Sequence, residues 1–339
     1  MSEIPRGAIR FNTDSNKPEL WDGSQWAEFQ LSTPNLGTSA DSSIGVRVVF
    51  GTGTTPSNGN TFDYINMSST GNAVDFGGSG AHDNGGVGTV SDRTRGVLGG
   101  GQSPVDNIIE FITISSTGDA ADFGDLTQAR RFAAGAGNAT RGCFGGGLDS
   151  TDRIDYVTIQ STGNAVDFGN LTVSRGQCAG FASQTRGIFS GGHEHPSPSN
   201  STNRIDFISI ATLGNAQDFG DLVNDNAEDQ AGASNPIKGI IAGGSPAGNS
   251  SQNVIQSLTI ATLGNAVNFG DLVVGATSKG GGASPTRAAF AGGYTNPAST
   301  VTNAIDYVEF ATEGNAVDFG DLTQARDQLN GVSNGHGGL

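Results

Sequence analysis

GNAVDFG at residues 71–77 is the first of six near-copies of one phrase, and the spacing of these copies decides the fold. The first residues of successive copies lie 47, 45, 51, 50 and 50 positions apart. A period near fifty residues is typical of β units that stack or are arranged radially around an axis. The other copies are GDAADFG at 118–124, GNAVDFG at 163–169, GNAQDFG at 214–220, GNAVNFG at 264–270 and GNAVDFG at 314–320.

One repeat contains four short strand-like segments separated by turn-forming residues. In the third repeat they are FAAGAGN (132–138), RGCFGGG (141–147), RIDYVTI (153–159) and AVDFGNL (165–171), which we call strands a, b, c and d. Short segments bounded by Gly, Asn, Ser or Asp are typical of an antiparallel meander. The sequence therefore predicts an all-β protein, a six-bladed β-propeller of four-stranded antiparallel blades preceded by a short N-terminal β segment.

Composition and charge argue against several classes of protein. The chain has 339 residues and a formal net charge of −16, and such an acidic surface is expected to repel nucleic acid and anionic membranes. No apolar run is long enough for a membrane span, and the start MSEIPRGAIRF lacks the apolar core of a signal peptide. Cys143 and Cys178 occupy non-equivalent positions in different repeats, so we expect both to be buried as small apolar residues without a disulfide.

A residue that recurs in nearly every copy is most simply explained by the fold of the repeat. The Phe of each phrase, Phe168 in the third copy, is predicted to fill the space between blades. The Asp before it, Asp167 in the same copy, is predicted to accept turn or backbone hydrogen bonds. Arg141, Arg186 and Arg287, which open strand b, are predicted to pair between blades with the repeated Asp of strand c.

A Gly-Gly doublet that ends strand b, followed by an aromatic residue on strand c, resembles the kelch repeat of β-propellers. The chain departs from that pattern where Thr52 interrupts the first doublet, where Ser257 replaces the aromatic residue, and where Phe replaces the usual downstream Trp. The doublets are Gly99-Gly100, Gly145-Gly146, Gly191-Gly192, Gly243-Gly244 and Gly292-Gly293. The aromatic residues are Tyr64, Phe111, Tyr156, Phe207 and Tyr307.

Two further patterns resemble proteins of bacteriophage particles. The repeat pattern GNAxDFGDL…TRGxFxGG resembles repeats in tail-fibre-like proteins of marine bacteriophages. The stretch GAIRFNTDSNKPELWDGSQWAEF (7–29) resembles a short β module of phage tail and fibre proteins. The resemblance implies a virion structural protein in the phage tail or another external virion structure. It further implies a tail-fibre adhesin that binds a host-surface glycan or protein.

The repeat divides the chain into two predicted parts. Residues 1–34 are expected to form an N-terminal β segment for attachment to other virion proteins or for oligomerisation, and residues 35–339 the propeller. Two strand-like runs in the first part, GAIRFN and WAEFQL, joined by a polar turn, equally fit a hairpin packed on the propeller. Because fibre proteins are often trimers, the resemblance leaves a homotrimer open.

Two registrations of the repeat close the propeller differently. Residues 326–333 align with strand a of other repeats, so the C-terminal strand is predicted to seal the ring by pairing with the first b–c–d set. The competing registration takes residues 36–41 as strand a of the first blade and makes the C-terminal strand an added edge. We favour closure by the C terminus, because a closed ring removes exposed strand edges.

Candidate binding residues lie where the copies differ. In an antiparallel blade the b–c and d–a connections emerge on one face, which we call the loop face, and the a–b and c–d turns emerge on the opposite face. The c–d turns are nearly identical, whereas the b–c loops vary, either by neutral drift or because variable loops on a rigid scaffold carry recognition. The candidate ligand-binding residues are His193, Glu194, His195, Asn200, Tyr294, Asn296, Asp106 and Asn249.

The triplet His193-Glu194-His195 has three interpretations: two ligands of a transition metal, a polar recognition element, or an exposed loop. Two imidazoles without a third ligand define no metal site, so we assign no metal and no cofactor and leave open only a loop-bound divalent cation. The four histidines have no Ser or Cys partner in a recognisable catalytic motif, so we assign no catalytic residue and do not expect an enzyme.

These observations give three function hypotheses. The first is a phage adhesin, in which the loop face binds a host receptor. The second is a purely structural virion component, a head or baseplate decoration without receptor binding. The third is a cellular kelch-like interaction protein, against which the N-terminal stretch argues. An adhesin presents the loop face outward, whereas a decoration buries that face or binds nothing.

Overall fold

Short apolar segments and glycine-bounded turns give thirty-one strands and no helix in the part of the chain described by the computed structural model. The described residues are 5, 7–12, 17–21, 24–28, 46–54, 59–81, 85–148, 151–195, 201–223, 228–246, 250–296 and 298–339. They fall into two compact units, residues 1–44 and residues 45–339.

The first unit contains a three-stranded antiparallel sheet of β1 (Ile9–Asn12), β2 (Lys17–Trp21) and β3 (Trp26–Glu28), in that order. The sequence predicts only two strands joined by a polar turn, and the middle strand was missed. Lys, Pro and Glu are depleted in strands, which gives the segment KPELW a weak strand signal.

Aromatic and charged side chains connect the strands of this small sheet. The rings of Trp21 and Trp26, which lie opposite each other on β2 and β3, have centroids 5.4 Å apart. The Arg10 guanidinium lies 4.3 Å from the centroid of the Trp26 ring, and its Nε lies 2.7 Å from Oε2 of Glu19. The two tryptophans therefore cover part of each other's surface within the sheet.

The second unit forms six four-stranded antiparallel sheets arranged as the blades of a propeller, which confirms the predicted fold class. Blade 1 consists of β4 (Arg47–Gly51), β5 (Thr61–Asn66) and β6 (Val74–Gly78) together with β31 (Asn330–Ser333). Blade 2 consists of β7 (Gly88–Ser91), β8 (Arg95–Gly101), β9 (Asp106–Thr113) and β10 (Ala121–Asp125). Blade 3 consists of β11 (Ala134–Gly137), β12 (Arg141–Gly145), β13 (Arg153–Thr158) and β14 (Val166–Asn170).

Blades 4, 5 and 6 follow the same plan, with two small additional sheets. Blade 4 consists of β16 (Ala179–Ala182), β17 (Arg186–Ser190), β19 (Arg204–Ser209) and β20 (Gln217–Asp221). Blade 5 consists of β21 (Ala231–Ser234), β22 (Lys238–Ala242), β23 (Val254–Thr259) and β24 (Val267–Asp271). Blade 6 consists of β25 (Gly280–Ala283), β26 (Arg287–Ala291), β29 (Ala304–Glu309) and β30 (Val317–Asp321). The additional pairs are β15 (Arg175–Gly176) with β18 (His193–Glu194), and β27 (Tyr294–Thr295) with β28 (Thr300–Val301).

The six a strands contact one another around the propeller axis. Their second residue is Gly in five blades and Thr89 in blade 2, whose hydroxyl donates a hydrogen bond to the Gly331 carbonyl at 3.1 Å. A Cβ on Gly135 would overlap the Thr89 carbonyl oxygen of the preceding blade. Only Gly allows such a close approach of two backbones, so these residues set the narrow width of the central channel.

The C-terminal strand closes the ring. β31 pairs with β4 from Asn330↔Gly51 to Ser333↔Val48, which is the first of the two registrations described above. The next residue, Asn334, accepts a hydrogen bond from the Arg47 amide at 2.8 Å, as Asn138 does from the Arg141 amide at 2.9 Å in blade 3. The two ends of the propeller thus reproduce even the turn hydrogen bond of an unbroken blade.

Each DFG phrase contains a β-bulge that turns its Phe inward. In blade 3, Asp155 pairs with Asp167 and Ile154 pairs with Gly169, which leaves Phe168 without a partner across the strands. Phe168 is 3% exposed and packs in a cluster with residues of blade 4, as predicted. Asp167 points to solvent, so the predicted turn or acceptor role is wrong, because the bulge places it outside the blade.

The repeated phrase also joins each blade to the next. The Gly163 amide in the c–d turn of blade 3 donates to the Phe123 carbonyl of blade 2 at 2.7 Å. Asn164 Oδ1 accepts from the Asp125 amide at 3.1 Å. A Cβ on Gly124 would lie 2.6 Å from the Gly163 carbonyl oxygen, so the approach requires Gly. The same Gly–Phe hydrogen bond forms at all six junctions, between Gly71 and Phe319, Gly118 and Phe76, Gly163 and Phe123, Gly214 and Phe168, Gly264 and Phe219, and Gly314 and Phe269.

The repeated Asp of strand c has a different partner from the one predicted. Asp155 is fully buried, and its Oδ2 lies 2.8 Å from Nη2 of Arg130, which is equally buried in the d–a connection. Arg141 instead lies 4.4 Å from the Tyr156 ring centroid and donates to the Ile210 carbonyl at 2.6 Å. The prediction was wrong because it paired the repeated Arg of strand b with the repeated Asp of strand c. The d–a connection before the blade supplies a different Arg, which lies against the carboxylate.

Equivalent pairs occur in three other blades. Arg175 Nη2 lies 3.1 Å from Asp206 Oδ2, and Arg326 Nη2 lies 2.9 Å from Asp63 Oδ2. In blade 6 the cation is Lys279, whose Nζ lies 3.6 Å from Oδ2 of Asp306. Arg186 and Arg287, like Arg141, lie over the aromatic residue of their own strand c instead.

We predict that replacing the inner glycine of blade 3 strongly destabilises the ring. Gly135→Ala should cost at least about 3 kcal/mol of unfolding free energy, because the new Cβ overlaps a carbonyl of the neighbouring strand. Thr89→Ala is the matched control: it keeps a Cβ and removes one hydroxyl bond, for about 1 kcal/mol. Urea unfolding measures both, and equal losses would contradict the packing argument.

We also predict that the buried ion pair is a coupled unit. Arg130→Met should cost about 3–5 kcal/mol, because it leaves the Asp155 carboxylate buried without a cation. The double variant Arg130→Met/Asp155→Gln should recover most of the loss. Its Gln follows blade 5, where Gln256 replaces the Asp and accepts the Val223 amide at 2.6 Å. Additive losses in a double-mutant cycle would show that the pair is not coupled.

Candidate functional site

The face that carries the a–b turns is uniform from blade to blade. In every blade the side chain of the residue after strand a accepts a hydrogen bond from the backbone amide of the first residue of strand b. The accepting residues are Asp92, Asn138, Ser183, Asn235, Ser284 and Asn334. Five of these side chains accept two amides each, as Asn138 does from Thr140 and Arg141, and this is the hydrogen bonding that builds a turn. This face offers little difference between blades on which selective recognition could be built.

The C-terminal tail crosses the channel on that uniform face. The Gly337 amide donates to the Ser234 carbonyl at 2.8 Å, and the Gly338 carbonyl accepts from the Ala139 amide at 3.1 Å. His336 Nε2 lies 2.8 Å from the Ser91 carbonyl, and burial lowers the pKa of this imidazole. Nε2–H donates to the Ser91 carbonyl, and Nδ1 accepts the Gly338 amide at 3.1 Å, so both ring nitrogens hold the tail in place.

The opposite end of the channel, on the loop face, is surrounded by six equivalent residues with left-handed backbone. They lie two positions before each strand a and have φ between 55° and 72°. Non-glycine residues pay about 1–3 kcal/mol for this conformation, and five of the six are not Gly. They are Gly86, Phe132, Gln177, Asp229, Ser278 and Gln328, which we call the mouth ring.

Backbone hydrogen bonds from blade to blade hold the mouth ring. The Phe132 amide donates to the Gly86 carbonyl at 2.6 Å, and the Gln177 amide to the Phe132 carbonyl at 3.0 Å. The Asp229 amide donates to the Gln177 carbonyl at 3.1 Å, and the Ser278 amide to the Asp229 carbonyl at 2.8 Å. These bonds offset the strain of the left-handed conformation.

The mouth ring encloses only a small cavity. Its volume of about 60 Å³ has room for roughly four water molecules and none for a sugar ring. Phe132, Gln177, Asp229 and Gln328 line it as half-buried side chains. A larger ligand must therefore lie across the rim, with at most a substituent in the cavity.

Asp229 is the electrostatically unusual member of the mouth ring. Burial raises the pKa of its carboxyl to about 7, and the neighbouring Glu228 carboxylate raises it further in the same direction. Gln177 Nε2 donates to Asp229 Oδ1 at 2.9 Å and opposes the shift by stabilising the charged form. The mouth of the channel therefore changes its charge near neutral pH.

His193 and Glu194 belong to the small sheet formed by β15 and β18 next to this mouth. His193 Nδ1 lies 3.0 Å from Glu228 Oε2, and the Ser201 hydroxyl donates to the same oxygen at 3.2 Å. Glu194 Oε1 lies 3.8 Å from Arg204 Nε. His193, one of the predicted residues, thus contacts Glu228, which directly precedes Asp229 of the mouth ring in the chain.

His195 packs its ring against His193, with centroids 5.2 Å apart at an interplanar angle of 66°. The described residues contain no group of three or more His, Cys, Asp or Glu side chains that could hold a metal ion.

Tyr294 and Asn296 come together with the neighbouring loop of blade 5. The Ser251 hydroxyl donates to the Tyr294 carbonyl at 3.1 Å and accepts from the Asn296 amide at 2.7 Å. Both predicted residues are half-buried. The b–c loops of blades 5 and 6 therefore form one continuous surface, which the sequence could not show.

Asp106 lies apart from these groups, at the start of β9, where its Oδ1 accepts the Ile108 amide at 3.1 Å. That contact is a local turn. Asn200 and Asn249 lie outside the described residues. The structure therefore groups the predicted residues into a His193 cluster and a Tyr294 cluster.

Sequence analysis missed the mouth ring, because its six members share no side-chain chemistry. Their common feature is a fixed offset from strand a. The two cysteines are free. Cys143 is fully buried, as predicted, and burial raises its thiol pKa to about 12, whereas Cys178 is only half-buried and lines the mouth cavity.

A scan against models of protein families and a search of curated proteins each found no match for this chain. Within the described segments, no helix has the length and apolar character needed to cross a membrane.

We predict that Asp229 makes stability depend on pH. Its folded-state pKa of about 7 lies above the ordinary carboxyl value, so folding takes up a proton between about pH 4 and 7 and stability falls as pH rises through that window. Asp229→Asn should remove this loss. The variant should gain up to about 4 kcal/mol relative to wild type between pH 4 and pH 8.

Thermal unfolding of both proteins across that pH range checks this prediction. Asp167→Asn is a matched control, because Asp167 is an exposed carboxylate on the outer strand of blade 3. A constant difference between Asp229→Asn and wild type at all pH values would contradict the assignment.

Proposed function

We propose that this chain is a receptor-binding propeller, an adhesin that recognises a host-surface glycan or protein through its loop face. The observation that carries the proposal is the difference between the two faces. One repeats the same turn in every blade and is crossed by the C-terminal tail, whereas the other has different side-chain contacts at each junction. Recognition requires chemical differences presented on a rigid support.

The chemistry of the loop face suits a polar ligand with an apolar face. Phe132 and Tyr294 offer aromatic area at low entropic cost, and Gln177, Asp229 and Asn296 offer donors and acceptors around them. The cavity at the mouth holds water and leaves the rim as the contact surface. A sugar, or a polar loop of a protein, fits this combination of groups.

We further propose that the propeller acts in an external structure of a phage virion, as the resemblance of its repeats and of residues 7–29 to phage tail and fibre proteins implies. The small sheet of β1, β2 and β3, which lies within residues 1–34, then provides the contact to other virion proteins, or the contact that builds an oligomer. A formal charge of −16 disfavours nucleic acid as the partner.

The proposed role is binding without catalysis. The buried carboxylates Asp63, Asp155 and Asp206 each face an arginine in the d–a connection and serve the packing of the blades. Beside the His193–Glu228 pair, the Ser201 hydroxyl donates to the carboxylate, whereas the nucleophile of a catalytic triad donates to the imidazole.

We predict that the b–c loops carry binding. Two loop-swap variants replace residues 193–203 or residues 294–303 with LDSTD (148–152), the short b–c loop of blade 3, and so keep the blade framework. Fluorescently labelled protein is measured on a glycan array and on a panel of marine bacteria. We expect at least tenfold weaker binding in one or both variants, because the swaps remove the two clusters of predicted contacts.

The control is Ile237→Thr in the a–b turn of blade 5, which gives that exposed position the Thr found in other blades. It should bind like wild type. Equal binding by both loop-swap variants and wild type would place the site elsewhere. No binding by the wild type on any surface would favour the structural decoration of a virion head or baseplate.

A further inference from the structure

Asp229 is the only member of the mouth ring that carries a charge. The other five positions hold Gly, Phe, Gln, Ser and Gln, so the left-handed backbone of the ring does not require a carboxylate. Burial and the nearby carboxylates of Glu228 and Asp327 raise the pKa of Asp229. A charged group that the fold does not require, and that lowers stability at neutral pH, is typical of a functional site.

Two further oxygen atoms close to Asp229 have no hydrogen-bond donor. Gln230 lines the mouth cavity and is 8% exposed, and its Oε1 accepts no hydrogen bond from the described residues. Oδ1 of Asp327, whose charge acts on Asp229, is likewise buried without a donor among them. Because a buried acceptor without a donor costs free energy, both oxygens favour a ligand that donates hydrogen bonds.

The described lining of the cavity contains one cationic side chain, and that side chain is bound elsewhere. Lys279 Nζ donates to the Gly292 carbonyl at 2.9 Å and lies 3.6 Å from Asp306 Oδ2. Asp229 instead accepts a hydrogen bond from the neutral Gln177 amide at 2.9 Å. Within the described lining, therefore, no cation compensates the charge of Asp229, and Lys279 is not free to attract an anionic ligand.

We propose that the mouth cavity binds a protonated primary amine of the ligand, which donates hydrogen bonds to the Asp229 carboxylate and to the unpaired oxygen of Gln230. An ammonium group has three N–H donors and a positive charge, and the two oxygens match both properties. Phe132 lines the same cavity, and its ring face attracts a cation. The volume of about 60 Å³ admits an ammonium group on a short stem, although a sugar ring stays outside.

An amine fits the site better than a metal ion does. The described residues contain no group of three or more His, Cys, Asp or Glu side chains that could hold a metal. An ammonium group needs fewer ligands than a metal ion, because one carboxylate and one or two neutral acceptors satisfy its three donors. The cavity offers that combination.

Amine binding should depend on pH, because only the ionised form of Asp229 attracts an ammonium group. With a pKa of about 7, the ionised fraction of Asp229 rises about tenfold between pH 6 and pH 8. Glu228, Asp327 and Lys279 are the other charged groups that act on Asp229 or line its cavity. His193, which contacts Glu228, also titrates near this range, so Asp229→Asn is needed to separate the two contributions.

The first test replaces NaCl by methylammonium chloride at constant ionic strength and follows the side-chain amide signal of Gln177 by NMR in the whole chain. We expect saturable binding with a Kd on the order of 10 mM, near the limit for so small a ligand. Binding should be about tenfold tighter at pH 8 than at pH 6. Methanol, the neutral counterpart of methylammonium, should not bind. Equal binding of methanol, or no saturable binding of methylammonium, would overturn the proposal.

Asp229→Asn makes the test specific for the mouth cavity. The variant keeps the size of the side chain and removes its charge, so it should weaken methylammonium binding by at least about tenfold and lose most of the pH dependence. Asp167→Asn is the matched control, since it removes an exposed carboxylate from the outer strand of blade 3, and it should bind like wild type. Equal weakening in both variants would reveal a general effect of net charge and contradict the assignment.

Two larger amines test the source of the ammonium group. Nα-acetyl-lysine-amide presents the amine of a protein side chain, and methyl β-glucosaminide presents that of an amino sugar. At least one of them should bind no more weakly than methylammonium, and N-acetylation of its amine should abolish that binding. Failure of both would show that the cavity does not accept the amine of a larger ligand, which would refute the proposal.

The assignment of this amine to a host-surface receptor rests on the proposed function. On the glycan array and on bacteria, Asp229→Asn should bind about tenfold more weakly than wild type. Host binding that is lost in the loop-swap variants but unchanged in Asp229→Asn would overturn the amine assignment and leave the adhesin standing. Methylammonium binding without wild-type binding to any surface would support the amine site and count against the adhesin.

Discussion

The hydrogen bond between the Gly of one c–d turn and the Phe carbonyl of the preceding outer strand is the interaction on which the ring depends. Each copy of the phrase carries a donor, the amide of its first Gly, and an acceptor, the carbonyl of its Phe, so each blade needs two neighbours. An open row of blades would leave one half unpaired at each end. The bond between Gly71 and Phe319 joins the last blade to the first and removes both ends.

The close approach of the a strands determines where a ligand can bind. Gly at the second position of five a strands draws the backbones together until the cavity at the mouth holds only a few waters. The blade-to-blade hydrogen bonds of the mouth ring then force Phe132, Gln177 and Asp229 into left-handed conformations. Tight packing at the axis thus leaves the rim, rather than the channel, as the surface for recognition.

The repeated sequence pattern predicted the blades, whereas contacts between residues distant in the sequence became known only from the structure. The fifty-residue period was sufficient for the strand plan and the number of blades, and aligning residues 326–333 with strand a placed the closing strand. The repeat period could not show that Arg130 rather than Arg141 faces Asp155. Both arginines lie near repeated positions, and only their three-dimensional contacts distinguish them. The mouth ring left no signal, since backbone conformation and not side-chain type unites its members.

Departures from the repeat in blade 5 are matched by changes in neighbouring residues. Gln256 replaces the buried Asp and accepts the Val223 amide at 2.6 Å, and the sequence has Asn226 where blade 3 has Arg130 in the corresponding connection. That change is balanced. Ser257 replaces the aromatic residue of strand c, yet Phe269 is 3% exposed, as buried as its counterparts, and Lys238 Nζ lies 5.3 Å from the centroid of its ring. Both changes therefore leave the packing between blades intact, because each lost side chain is matched by a change in a neighbouring one.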